Sequence, residues 1–178
     1  MMRFCFGFVV LILFGCASKE LVVSEKKMSN LKEAVYSKNI AFEGRSASPL
    51  RFGNNLSAYN TLPPGSNQAF VNLANIYNYV KIYKDSISMD LPFYGEQRII
   101  NAYSSDDNSL IFHQKIDEKT IVFDPKKKTY TLKLLVRGRQ ESLRISYTLH
   151  PNKTAQMVVN STHRNAITYR GDWFLIKE

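Results

Sequence analysis

The sequence predicts a mainly β (α+β) fold: an N-terminal helix followed by a curled antiparallel sheet of seven to nine strands, as a half-barrel or sandwich. Three observations predict it. The stretches from Ile76 to Phe93 and from Tyr130 to Ile167 fold back on themselves with apolar residues opposite apolar residues at every second position. Turn-forming residues break these runs at short intervals. One amphipathic stretch ahead of them supplies a helix to cover a sheet face.

In chain order, residues 1–15 have the layout of an export signal: Arg3 supplies positive charge, Phe4 to Phe14 are apolar, and Gly15-Cys16 follows. Eleven apolar residues are too few for a permanent membrane span. Leu13-Phe14-Gly15-Cys16 resembles the lipobox of bacterial lipoproteins, in which a small residue before cysteine permits cleavage and the cysteine takes a diacylglyceryl thioether. The expectation is a signal over 1–15, a lipidated tether over 16–25 with Cys16 as the lipid attachment, palmitate among its acyl chains, and one β-rich domain over 26–178. Cys5 would then leave with the signal and Cys16 would be consumed by lipid, which excludes disulfides and cysteine nucleophiles from the mature body.

Removing fifteen residues from 178 leaves 163, a length at which one domain buries most of its unfolded surface. Without Arg3 the chain keeps 23 Lys and Arg against 15 Asp and Glu, so its neighbours are expected to be anionic: lipid headgroups, acidic glycan or acidic protein. An exported chain has no expected nucleic-acid partner. The expected location is the bacterial cell envelope, in the outer membrane, facing the periplasm or the surface.

From Lys26 to Lys38, Met28, Leu31 and Val35 fall on one stripe with Ala34 beside it, which predicts a packing helix. Asn39 to Phe52 reads as extended, and Gly53 to Gln68 as a long loop rich in Gly, Asn, Pro and Ser. A turn at Lys84-Asp85 pairs Ile82 with Ile87, Val80 with Met89 and Ile76 with Phe93, and puts Tyr83 opposite Ser86, Lys81 opposite Ser88 and Tyr79 opposite Asp90. A turn near Arg139-Gln140 pairs Val136 with Leu143, Leu134 with Ile145, Leu132 with Tyr147 and Tyr130 with Leu149. Pro151-Asn152-Lys153 then sets Leu149 against Ala155, Tyr147 against Met157 and Ile145 against Val159, and a loop around His163 sets Val159 against Ile167. Ser109 to His113 and Lys119 to Phe123 are shorter strands.

Asp85-Ser86-Ile87-Ser88 leading to Leu91-Pro92-Phe93-Tyr94-Gly95, together with Val159 to Gly171, resembles a family of Gram-negative lipoproteins known as the domain of unknown function 4251. The resemblance runs from about Ile40 to Gly171 and implies a signal, a helix and a β-rich body. It implies no substrate, cofactor or catalytic residue.

His113, His150, His163, Asp106 and Asp107 are the raw material for catalysis, at spacings that match no hydrolase or metal motif, so no catalytic residue, metal or cofactor is assigned. Asp106-Asp107-Asn108 lacks the glycine and terminal glutamate of a calcium loop and reads as a solvated turn. Lys126-Lys127-Lys128, with Lys133, Arg137, Arg139 and Arg144, is a solvated basic face or a surface for anionic headgroups or glycan. Tyr77, Tyr79 and Tyr83 form either an aromatic platform for sugar or protein or, the favoured reading, a row packed beneath the helix. Arg164, in the polar segment from Asn160 to Asn165, is the residue to test for binding, although Asn and Ser there build turns by themselves. The leading reading is a non-enzymatic, lipid-anchored module for an envelope protein, glycan or small amphiphile. A hydrolase or metal-dependent enzyme, and an inhibitor or assembly factor presenting the Gly53 to Gln68 loop, are the alternatives.

Overall fold

The computed structural model describes residues 23–37, 39–51, 62–99 and 109–176. The expected export signal, Cys16, most of the expected tether, the larger part of the Gly53 to Gln68 loop and Asp106-Asp107-Asn108 lie outside the described residues.

One helix, α1 (Glu25–Ser37), precedes β1 (Asn39–Pro49), β2 (Val71–Asn72), β3 (Tyr79–Tyr83), β4 (Ser86–Pro92), β5 (Ser109–Lys115), β6 (Glu118–Asp124), β7 (Thr129–Arg137), β8 (Ser142–Leu149), β9 (Thr154–Ser161) and β10 (Ile167–Leu175). Nine strands form one antiparallel sheet in the order β5-β4-β3-β1-β10-β9-β8-β7-β6, and the two-residue β2 pairs with β1. The sheet curls into a half-barrel, with the Phe112 ring of β5 set against Gly138 beyond the end of β7.

The predicted ladders are present. Val80 opposes Met89 and Ile82 opposes Ile87 on the inner face, while Tyr79, Lys81 and Tyr83 oppose Asp90, Ser88 and Ser86 on the outer. The meander from β7 to β10 holds its predicted register from Val136 opposite Leu143 through Val159 opposite Ile167. The predicted pair of Ile76 with Phe93 is corrected: β3 begins at Tyr79 and β4 ends at Pro92, so both side chains pack on the core without pairing.

Alternation gives the half-barrel a dry inside. Ile40, Phe42, Val80, Met89, Leu132, Ile145, Met157 and Trp173 are all buried. α1 lies on this inner side, where Leu31, Ala34 and Val35 are buried and Met28 packs against the core, and it contacts β1 and β7. Leu31 and Val35 each contribute about 1.5–3 kcal/mol of burial free energy, more than helix propensity supplies to so short a helix. The inner surface of the curl is therefore occupied by the protein itself.

β1 and β10 form the seam between the two halves of the sheet, paired from Ile40–Leu175 to Pro49–Ile167 with a shift between Gly44 and Ser46. Gly44 faces Gly171 there. The buried Asn78 side chain accepts from the Gly44 N–H at 2.7 Å and donates to the Gly44 carbonyl at 3.0 Å and the Ile76 carbonyl at 2.9 Å. A β-carbon on Gly171 would overlap the Glu43 carbonyl oxygen. We expect Gly171→Ala to lower unfolding free energy by about 3 kcal/mol, the upper end of overpacking costs, in denaturant titration of the full chain.

Candidate functional site

With the inner face filled, the polar chemistry sits on the outer face and the rims. On β3, β4 and β5 the outward side chains form rows across the sheet: Lys81, Ser88 and His113 in one, Tyr83, Ser86 and Lys115 in the next. The rows exist because alternation leaves the odd-numbered positions of β3 outside once Val80 and Ile82 are committed to the core. Between them lies a cleft of about 520 Å3, lined by Lys81, Tyr83, Ser86, Ser88, His113 and Lys115, with Ile176 at one end. Two lysines, a histidine and two serine hydroxyls face it, and among the described residues no carboxylate lines it.

Hydrogen bonds order its floor. Ser88 Oγ lies 2.9 Å from His113 Nδ1, and Tyr79 Oη lies 3.4 Å from the same Ser88 Oγ. The Lys81 ammonium stands 5.1 Å from the Tyr79 ring centroid, and Lys84 stands 5.1 Å from that of Tyr83. A surface of this kind holds an anion through two cations, hydrogen-bonds its polar edge through two serines, and offers Tyr83 as a flat apolar wall.

The tyrosine row is not under the helix. Tyr77 is 78% exposed and Tyr83 42% exposed on the outer face, whereas α1 packs inside, so the predicted cover is corrected. The physical reason is the direction of curl: α1 fills the concave side, where Tyr36 meets Tyr130 edge-on at 6.1 Å, and leaves the convex side to solvent. Tyr83 lines the cleft, and the Tyr77 ring meets that of Tyr79 at a tilt, with centroids 5.6 Å apart.

Arg164 is turned inward. Its Nε lies 3.3 Å from Glu141 Oε1, the two side chains being only 10% and 12% exposed, and its guanidinium sits 5.2 Å from the Phe93 ring centroid. Ser161 donates to the other Glu141 oxygen and accepts from the N–H groups of His163 and Arg164. Arg98 donates from Nη2 to the carbonyls of Ser161 and Arg164 at 2.7 and 3.0 Å. The segment from Asn160 to Asn165 is thus a stapled node that joins the β9–β10 connection to residues 93–98. Tyr169 completes it by donating to the Pro92 carbonyl at 2.9 Å, and burial pushes its phenol far above the ordinary range.

The basic face is divided. Lys133, Arg137 and Arg144 surround Leu135 in a second concavity of about 400 Å3 on the outer face of β6 to β9. Arg137 is paired there with Asp117 at 3.3 Å and Glu118 at 3.5 Å, so its charge is largely answered. Arg139 lies apart, against the β5 edge, and Lys126 to Lys128 occupy the turn between β6 and β7. His113, His150 and His163 stay separate: His113 meets Ser88, His163 meets Thr162 at 2.9 Å, and His150 sits in the β8–β9 turn. Among the described residues no group of three His, Cys, Asp or Glu is placed to hold a metal ion.

Comparison with known proteins follows this geometry. The profile of the family described as "Domain of unknown function (DUF4251)" matches residues 23–173. The chain belongs to the DUF4251 family. A crystal structure of a DUF4251 family protein from Bacteroides eggerthii DSM 20697 is similar to it at 12% identity, over 84% of this chain and 88% of that one, with a TM-score of 0.56. That likeness extends to the fold. Comparison with the curated proteins found no match. Of the residues that carry the DUF4251 resemblance in the sequence, Ser86 and Ser88 line the outer-face cleft, and Ser161, His163 and Arg164 belong to the stapled node.

The sequence pointed to Tyr77, Tyr79, Tyr83 and Arg164 and offered His113 without a partner, and it missed the roles of Ser88, Lys115, Glu141 and Arg98. Pairing within the β3–β4 hairpin was readable, but pairing of β4 with β5 crosses residues 93–108 and carries no local signal.

Two outcomes test this description. Arg164→Ala leaves Glu141 buried without its cation and should cost about 3 kcal/mol in denaturant titration, with Arg164→Lys recovering part of it. Burial and the neighbouring Lys127 hold the His150 pKa below the ordinary 6.5. The folded chain therefore takes up this proton later than the unfolded one, so stability present above pH 6.5 falls as pH drops through the lowered value. His150→Gln should flatten that part of the stability–pH curve.

Proposed function

We propose that the chain is a lipid-anchored module of the bacterial envelope that binds rather than reacts, and that the outer-face cleft on β3 to β5 takes an anionic glycan. The observation that carries the reading is the cleft's lining: Lys81 and Lys115 on strands two apart, Ser86 and Ser88 between them, Tyr83 as a wall, and no carboxylate among the described residues. Cations set the sign of the ligand, hydroxyls match sugar hydroxyls, and a tyrosine face suits a sugar ring. Cys16 at the end of the export signal supports the anchor, and the formal net charge of +9 supports an anionic neighbour.

A second reading, a hydrolase, draws on one contact. Ser88 Oγ and His113 Nδ1 at 2.9 Å have the separation of a nucleophile and its base. Binding is favoured because both groups lie on an open strand surface, and hydrolysis also needs a group orienting the far imidazole nitrogen and donors for the oxyanion.

Titration of the full chain with a uronate oligosaccharide tests the first reading. Lys81→Glu and Lys115→Glu should each weaken binding about tenfold, and the interaction should fade as salt rises. A fluorophosphonate probe that labelled Ser88, with labelling lost in Ser88→Ala, would replace binding with hydrolysis.

A further inference from the structure

We propose that the rim built from the β6–β7 and β8–β9 turns is the edge on which the domain rests against an anionic lipid surface. The two turns are neighbours because β7 and β8 pair along their whole length, from Arg137 opposite Ser142 to Tyr130 opposite Leu149. Side by side they carry Lys126, Lys127 and Lys128 in one turn and Lys153 in the other. Lys126, Lys127 and Lys153 are exposed. Asp124 is the acid of these turns, and its Oδ1 accepts from the N–H groups of Lys126 and Lys127 at 2.9 and 3.0 Å, so the carboxylate braces the loop. Positive charge remains in excess.

Aromatic rings border the lysines. Phe123, 42% exposed, lies 4.7 Å from the Tyr130 ring centroid, and Tyr36, 57% exposed at the end of α1, lies 6.1 Å from Tyr130. Among the described residues the edge strand β6 has no further strand beside it, and these rings stay half in water. Half-exposed aromatics beside lysines suit the headgroup layer, where an amphipathic ring has both an apolar and a wet side. Each lysine close to an anionic leaflet strengthens attachment about fivefold, so a cluster on one rim selects that rim over a face whose cations are paired.

The chain between anchor and domain permits this pose. Nine residues from Cys16 to Ser24 reach at most about 30 Å, longer than the roughly 20 Å of α1, so the rim near Tyr36 can turn to the bilayer. The proposal shares with the proposed function only the envelope location, and it is read out separately from glycan binding.

The test places the full chain on phosphatidylcholine vesicles, with or without phosphatidylglycerol as about one third of the lipid, and follows amine acetylation lysine by lysine by mass spectrometry. Acetylation of Lys126, Lys127 and Lys153 should slow about fivefold or more on the anionic vesicles, while Lys81 and Lys133 on the outer face keep their rates. The double substitution Lys126→Glu with Lys127→Glu should abolish the protection of Lys153. Equal rates on the two vesicle types, or equal protection of Lys81 and Lys133, overturns the proposal whether or not the glycan titration succeeds.

Discussion

The β1–β10 seam is the constraint on which everything else depends. The first long strand pairs with the last, and among the described strands this is the ladder that joins β5-β4-β3 to β9-β8-β7-β6. Two glycines face each other where the backbones come closest, and Asn78 satisfies the Gly44 peptide from the side. A polar side chain is tolerated in this dry region because its amide is spent on Gly44 backbone groups that fall between the β1–β3 and β1–β2 pairings and so have no ladder partner on that side. The Trp173 indole, donating to the His150 carbonyl at 2.8 Å, ties the same strand to the β8–β9 turn. Closing the seam pairs strands far apart in sequence, so it carries the largest loop-closure cost among the described ladders.

Because the seam bends the sheet around α1, the inside and the outside have different kinds of work. Inside, packing is complete enough that even the tyrosines there are subordinate to it: burial lifts the phenols of Tyr147 and Tyr169 well above their ordinary range. A ligand in the concavity would have to displace α1, whose three buried side chains complete the core. The convex face and the rims are free of that demand, and there the lysines, serines and tyrosines are arranged by strand register alone.

Charge at those exposed places acts through solvent. Single surface ion pairs such as Arg45 with Asp172 stabilise little, and the outer cations matter for what they attract from outside the molecule. The two outer concavities differ in this respect. Acids accompany the cations around Leu135, whereas the cleft on β3 to β5 has cations and hydroxyls together. A membrane anchor would raise the local concentration of such a weak, salt-sensitive surface against its partner, so modest affinity at each contact is sufficient.

How much of this was legible follows from the range over which each interaction acts. Alternating side chains fixed the hairpin and meander registers, the inner and outer faces and the amphipathic stripe of α1, because these depend on neighbours within about twenty residues. Family membership was legible too, through Asp85 to Gly95 and the segment ending at Gly171. Tertiary structure alone decided that β1 pairs with β10, that α1 fills the concave side and leaves Tyr77, Tyr79 and Tyr83 outside, that His113 meets Ser88, and that Arg164 is spent on Glu141. Those outcomes join residues separated by long loops or by most of the chain, and one-dimensional periodicity holds no record of which distant strands will share an edge.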